Sequence, residues 1–394
     1  MHALSLLLAP VLVSAAAVSS RQWRDDSRAA YFLDNNPAGS SVISLKIAED
    51  GALSYPVRIS TGGKGLLALT AGMNGAPAAA GGADTLFTQD SVVVDGDYLF
   101  TVNAGSNTIS MFSIDKADPS HPTLINTAST LGEFPSSVAY SSKLKTACVI
   151  NGGAVAGVSC FSVDHSKGLK PQGGLRSIAI GQTTPPVGPL GTVSDIVFNP
   201  SETALFVSIK GAPPTPGSIY VYPVIDGYVS TSPVVSKPAT LLVDFSLNFL
   251  GSDNKAVIAD PAYGASLVDI SSKFYVTVSK QIVVAGEKAI CWATYSDRFN
   301  SIALLDAGSS NVTLVDPKSG DITGVAVLDT AGKGAFDAKL DRIFMYILRG
   351  APFVTVLSDM GLTHGKTPTE LQSFDLSSLG NRAGFQGMAI YPAN

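Results

Sequence analysis

Charge is scarce in this chain. Of its 394 residues 14% are charged, 26 basic against 31 acidic, for a net charge of -5. Low charge combined with 45% hydrophobic residues excludes a disordered chain, because disorder needs the opposite composition. Basic runs are absent, and without clustered Lys and Arg there is no surface for a phosphate backbone, so nucleic-acid partners are set aside. Histidine is limited to four residues and cysteine to three. No His/Cys set has metal-ligand spacing, no G-x-S-x-G elbow occurs, and no phosphate loop is present. Long helical periodicity is also missing, which leaves strands as the building material.

The one sustained apolar run lies at the start, from Ala3 to Val13, before small residues in which Ala15 and Ala17 form an A-x-A pattern. It reads as a secretory signal over residues 1–19 and is too short to be a membrane anchor. Residues 20–394 are then expected to form a single domain exported through the secretory pathway. Cys148 and Cys160 stand at mirrored ends of CVINGGAVAGVSC, where a hairpin would set them face to face as a disulfide suited to an oxidising compartment. Cys291 reads as a packing residue. Asn311-Val312-Thr313 is the one complete sequon, expected to carry a glycan.

What is present is a repeat. A short apolar strand, a turn, a second strand ending in a polar residue, a Gly-bearing loop and a third strand recur from Ser91, Ser137, Asp195, Leu247, Ile290 and Ala335. A period of this size signals a propeller. GMAIYP, residues 387–392, has the form of a lone first strand, and YFLDNNPAGSSVISLKI, residues 31–47, supplies the strands that follow it. One sheet drawn from both termini would close the ring and remove its exposed edges. The expected fold is all-β, a seven-bladed β-propeller, with irregular outer strands at segments such as 240–243 and 281–284. The Gly-rich tract 62–84 reads as a long loop over the ring.

In such a sheet the loop joining the second and third strands lies at the same end as the start of the first strand, and that end is the candidate mouth. Its loops open with Asn36, Asn103, Asn151, Lys210, Asp260, Asp306 and Arg349. A polar residue there ordinarily caps its own turn, although Asn103 is kept among the candidate substrate contacts. Lys210 and Arg349 differ, since a turn requires no cation; both are expected to face the funnel as ligand partners. Around them Trp292, Phe245 and Phe134 would form apolar walls, with Tyr263 opposite Trp292 as a hydroxyl donor and Asn248, Gln386 and Glu133 as orienting groups. A calcium site from Asp195, Asn248 and Asp260 rests on oxygen ligands alone. His121, His165 and His364 fall in turns at the far end, which disfavours a histidine acid or base.

LGEFPSSVAYSSKLKTACVINGG, TVSDIVFNPSETALFVSIKG, LLVDFSLNFLGSDNKAVIADPAYGAS, QSFDLSSLG and GFQGMAIYP carry a family likeness. They resemble the exported fungal propellers labelled 3-carboxymuconate-cyclase-like, over nearly the whole chain after the leader. Within that group the chain is similar to the hetero-Diels-Alderases of tropolone-sesquiterpenoid biosynthesis, which join an o-quinone methide to a humulene-type triene. The resemblance implies a cofactor-independent cycloaddition catalyst acting on apolar small molecules, with Arg349, Lys210 and Tyr263 polarising the electron-poor partner. The broader family's lactonising members use His, Arg and Glu at the mouth. Arg349 and Glu133 match two of these by type and no mouth His matches. A 3-carboxymuconate cyclase or lactonase is the alternative, and an exported cell-surface glycoprotein without catalysis is a third reading.

Overall fold

The computed structural model describes residues 27–72, 76–358 and 368–393, so the expected leader and His364 lie outside the described residues. Apart from three 3-10 helices of three residues each, the regular elements described are all strands. No helix among the described residues is long and apolar enough to cross a membrane. Seven sheets each contain a path of four antiparallel strands. They are termed A to G here, with innermost strands Phe385–Tyr391 (A), Val92–Asp95 (B), Pro135–Ser141 (C), Val193–Phe198 (D), Leu247–Phe249 (E), Ile290–Ser296 (F) and Ala335–Asp341 (G). Each innermost strand contacts those of the preceding and following sheets, and G contacts A, so the circuit closes on itself. This is the architecture of a β-propeller.

Local sequence explains the layering. Second strands such as Thr146–Asn151 and Ala204–Ile209 are buried throughout, because neighbouring sheets cover both their faces. Outer strands such as Thr369–Asp375 are mostly exposed, as their polar composition requires. The core therefore lies in wedges between sheets. One joins Tyr31 and Val42 of sheet A to Leu99 and Phe112 of sheet B; another joins Cys148 and Ile150 of sheet C to Ile196 and Val207 of sheet D.

Sheet A draws on both ends of the chain: Arg28–Asp34 pairs antiparallel with Phe385–Tyr391, Ala29 opposite Tyr391 and Asp34 opposite Phe385. The irregularity in that pairing falls beside Gly387, whose φ is +72°, and a Cβ there would stand 2.5 Å from Ser91 Oγ. Only glycine combines that backbone with that approach.

Two expectations about outer segments divide. Residues 281–283 lie in the outer strand Val276–Val283 of sheet E, but 240–243 form no strand. The Leu242 and Val243 amides go instead to the Asp260 carboxylate, and Tyr228–Val229 with Val234–Ser236 edge sheet D. The Gly-rich tract carries short strands Leu69–Thr70 and Ala79–Ala80, and Leu69–Thr70 pairs in parallel with Val187–Gly188. Cys148 and Cys160 are direct cross-strand partners joined as a disulfide. Asn311 opens the third strand of sheet F, half-buried, with Thr313 beneath the surface. His121 lies in the strand Asp118–Ser129 rather than in a turn, its ring against Asp118, while His165 does occupy a turn.

Candidate functional site at the channel mouth

The long loop ends in a strap, residues 83–89, fastened to the inner strands of several sheets. Gln386 donates to the Ala83 carbonyl and accepts from the Thr85 amide; Thr85 Oγ1 donates to Ala383 O at 2.8 Å; Thr88 Oγ1 donates to Ser136 O at 2.9 Å. The Gln89 amide donates to Ser194 O. Asp84 turns this segment locally by accepting the Phe87 amide at 2.8 Å, and Phe87 takes a φ of +55°. Leu86 and Phe87 are buried by packing into the same cluster as Phe134. The strap thus crosses the inner strands at the mouth with Leu86 and Phe87 buried and Asp84 half-buried.

Below it two cations bracket an aromatic row. Phe245 and Phe336 flank Trp292 with ring centroids 4.8 and 5.0 Å from it. Lys210 Nζ stands 4.3 Å from the Phe245 centroid and the Arg382 guanidinium 5.0 Å from that of Phe336, within cation–π range. Lys210 is buried and donates to Phe87 O at 2.5 Å, Val193 O at 2.7 Å and Thr192 Oγ1 at 3.3 Å. Three donors meet three acceptors, so a ligand oxygen reaches this ammonium only by displacing one of them. Arg382 donates to Ala83 O at 2.8 Å and Phe385 O at 2.6 Å and also holds the Arg349 carbonyl.

The electrostatics follow from burial. Desolvation pushes Asp84 up to about 6, against the pull of Lys210 and Arg382. Desolvation pushes Lys210 down to about 8, against Asp84, Cys291 and Asp244. Burial likewise brings Arg382 down to about 9, still charged at neutral pH. Asp244 is fully buried with neither carboxyl oxygen hydrogen-bonded among the described residues, and burial and then Asp260 push it well up. Half-buried Cys291 sits in the same group, its thiol pushed well up by burial. Burial thus moves the Asp84 carboxyl and the Lys210 ammonium toward neutrality from opposite sides, the directions a general base and a general acid require.

Trp292, Phe245, Lys210 and Gln386 are therefore brought together. Arg349 is not a funnel residue. It is fully buried and spends its guanidinium on Gly334 O, Thr355 Oγ1, Ser310 Oγ and Asp329 O at 2.7 to 3.0 Å. The cation does end its strand, Phe344–Arg349, but instead of facing the funnel as expected it staples sheets F and G. Tyr263 does not serve as the hydroxyl donor opposite Trp292: its hydroxyl bonds Ser266 at 2.8 Å within its own sheet. Asn103 is fully buried in a turn network with Thr61, Thr108 and Ser110. Asn248 donates to Ala293 O, and Phe134 is a core residue beneath the strap. Glu133 stays on the rim, accepting from Thr184 Oγ1 at 2.5 Å. The calcium reading also fails, because Asp260 binds backbone amides, Asp195 Oδ2 accepts from the Leu247 amide, and no His, Cys, Asp and Glu group among the described residues could hold a metal ion.

Two members were missed in the sequence, Asp84 and Arg382. Each is a lone charge in a Gly-rich or apolar stretch, and that isolation was the available signal.

One register position just beyond the bulge of the inner strand holds Ser137 in sheet C, Asp195 in sheet D and Trp292 in sheet F. Ser91 Oγ, Asp195 Oδ1, Ser246 Oγ, Trp292 Nε1 and both Asp337 oxygens lack hydrogen-bond partners among the described residues. Burial pushes Asp337 up to about 8, opposed by Lys339, and Asp195 well up, with Asp90 adding to the effect.

No family model matches the chain, and no curated protein does. Among solved structures it is similar to the periplasmic gluconolactonase PpgL of Pseudomonas aeruginosa, with a TM-score of 0.65 and 15% identity over 92% of this chain and 99% of that one. It is likewise similar to a Bacteroides fragilis protein assigned as a 6-phosphogluconolactonase (TM-score 0.61, 12% identity, 93% and 99% covered). A Lactobacillus plantarum protein gives a TM-score of 0.66 at 15% identity, again over 93% and 99%. At 12% to 15% identity these likenesses establish the fold alone, a β-propeller.

Proposed function

We propose that this protein is an exported, seven-bladed propeller enzyme of the lactonase type, opening small lactones at the strapped mouth without a cofactor. The observation that carries the reading is the meeting of Asp84, Lys210 and Arg382 over the aromatic row, in a fold shared with a gluconolactonase. In the reaction Asp84 takes a proton from water as the oxygen adds to the lactone carbonyl carbon. Lys210, freed from Phe87 O, and Arg382 hold the oxyanion. The carbon to ring-oxygen bond then breaks, and the ring oxygen leaves with a proton from Lys210. Cycling the proton back from Asp84 to Lys210 completes turnover.

The test is hydrolysis of glucono-1,5-lactone and of a carboxymuconolactone by the purified protein. Turnover of at least one is expected, falling about a hundredfold in Lys210→Met and Asp84→Asn, the scale of losing one oxyanion donor or general base. The kcat/KM profile should rise as Asp84 deprotonates near pH 6 and fall as Lys210 deprotonates near pH 8. Hydrolysis absent for both lactones, or a profile flat from pH 5 to 9, would sink the reading.

The aromatic row favours a second reading, the hetero-Diels-Alder reaction between a tropolone quinone methide and a humulene-type triene. Flat apolar reactants stack on such a surface, and cycloaddition needs no base. Rate or stereochemical gain over the spontaneous reaction, retained in Asp84→Asn, would transfer the assignment to it.

A further inference from the structure

We propose that Trp292 is a catalytic hydrogen-bond donor of the strapped mouth, its indole N–H holding the substrate oxygen on which negative charge collects. The role rests on the lactone reading above and adds to it a residue so far used only as an apolar wall. Trp292 is 3% exposed, and its Nε1 has no hydrogen-bond partner among the described residues. A buried indole ordinarily finds an acceptor, and leaving its N–H unpaired costs stability. Acceptors are not scarce nearby. Phe245 and Phe336, the rings on either side, are each followed in the chain by a buried residue with spare oxygen, Ser246 with its Oγ and Asp337 with its carboxyl. Neither reaches the indole, and the orphan donor is open to an acceptor that arrives from outside.

The other donors of the site show why this one matters. Lys210 already directs its protons to Phe87 O, Val193 O and Thr192 Oγ1, and must give one up before it meets a ligand. Arg382 commits Nε to Arg349 O and Nη1 to Ala83 O and Phe385 O, and its Nη2 makes no hydrogen bond among the described residues. Its guanidinium stands 5.0 Å from the centroid of Phe336, which lies 5.0 Å from the Trp292 ring. Two open donors therefore share one phenyl ring as their neighbour. Both are fixed before substrate arrives, the indole by packing between two rings and the guanidinium by three carbonyls, so neither has to reorganise as charge develops. When water adds to the lactone carbonyl carbon, the indole keeps its proton and only shares it with the oxyanion. Proton traffic stays with Asp84 and Lys210.

The test follows the indole itself. In proton–nitrogen correlation spectra of the whole protein, the Trp292 Nε1–H peak is identified by its disappearance in Trp292→Phe. It should move downfield saturably as glucono-1,5-lactam, a carbonyl analogue that resists hydrolysis, is added. Trp292→Phe keeps the ring stack and deletes the donor, so kcat for the lactone turned over should fall about a hundredfold, the scale of one oxyanion donor, with KM within about twofold and both limbs of the pH profile in place. A peak that stays put while calorimetry registers lactam binding, or a folded Trp292→Phe enzyme with parental kcat, overturns the assignment. If the variant does not fold, the peak of the parent protein, assigned through its neighbours, decides. The two readings fail separately: a peak moved by lactam in a protein that hydrolyses no lactone removes the hydrolysis and keeps the donor, whereas turnover with an unmoved peak removes the donor alone.

Discussion

The two ends of the channel share a backbone and differ in charge. At the mouth Lys210 and Arg382 outnumber the ionised form of Asp84 and stand on aromatic rings. Towards the far end Asp95 and Glu202 stand among the aliphatic side chains of Val94, Val138 and Val197, Asp95 accepting the Ser142 amide and Glu202 the Ser141 hydroxyl. Seven equivalent strands cannot set such a gradient by their geometry. Single residues at repeated positions do, and the same register holds Ser137 in sheet C, Asp195 in sheet D and Trp292 in sheet F. The ring therefore supplies a scaffold with a top and a bottom, while a few substitutions decide what each end attracts.

The most severe way to break the comparison is to open the ring. Removing residues 385–394 deletes the innermost strand of sheet A, all of whose residues are buried. Both ends should be lost together: no cooperative thermal transition, dye binding typical of exposed apolar surface, and no lactone turnover. A truncated chain that melts cooperatively at the parental temperature would show that the terminal strands do not close it.

Arg349 separates scaffold from chemistry. Arg349→Met would leave Thr355 Oγ1 without its partner and take one donor each from Ser310 Oγ, Gly334 O and Asp329 O, which keep the Ser310 Oγ–Asp329 O, Gly350 N–Gly334 O and Gly332 N–Asp329 O contacts. The expected loss is about 1–3 kcal/mol in chemical denaturation, the range for leaving a buried polar group unsatisfied. Activity per folded molecule should stay within about threefold, whereas a catalytic arginine would cost far more.

That contrast also explains what the sequence disclosed. Strand repetition and terminal complementarity are local patterns: GMAIYP lacks its neighbours and YFLDNN lacks an inner strand, so pairing them required no knowledge of side-chain direction. Cys148 and Cys160 were similarly legible, being symmetric about one turn. Lys210 and Trp292 were found because their residue types are unusual at strand ends. Arg349 was misread because a buried cation's partners, Ser310 and Asp329, come from the neighbouring sheet and its connection, which one-dimensional order does not reveal. Asp84 was missed because its position depends on how a long loop folds back over the ring. Turn residues such as Asn103 behaved as their short-range chemistry dictates.

A finer test addresses the acids in the channel. Asp337 has its pKa raised from 3.8 to about 8, chiefly by burial. Between those values the folded protein holds a proton that the unfolded chain has released, so stability contributed by this group falls as pH rises through the window. Asp337→Asn removes that slope while keeping the shape. Its stability advantage over the parent should be near zero at pH 4, widen to about 2–3 kcal/mol by pH 8 after allowance for coupling to Lys339, and then level off. A pH-independent difference in denaturation midpoints would mean that Asp337 is ionised throughout and compensated by groups other than Lys339.

The smallest effect probes the strap itself. Thr85 Oγ1 ties it to Ala383 O by one hydrogen bond, and Thr85→Val keeps the volume while deleting that donor. One such bond contributes about 1 kcal/mol, so local opening should become about fivefold more frequent while the global melting temperature hardly moves. Amide exchange would speed up across 83–89, and lactone KM would fall because Phe87 O is more easily displaced from Lys210. If exchange quickened at both ends, the channel would have to be treated as one coupled unit, and the division between a gated cationic mouth and an open acidic base would fall.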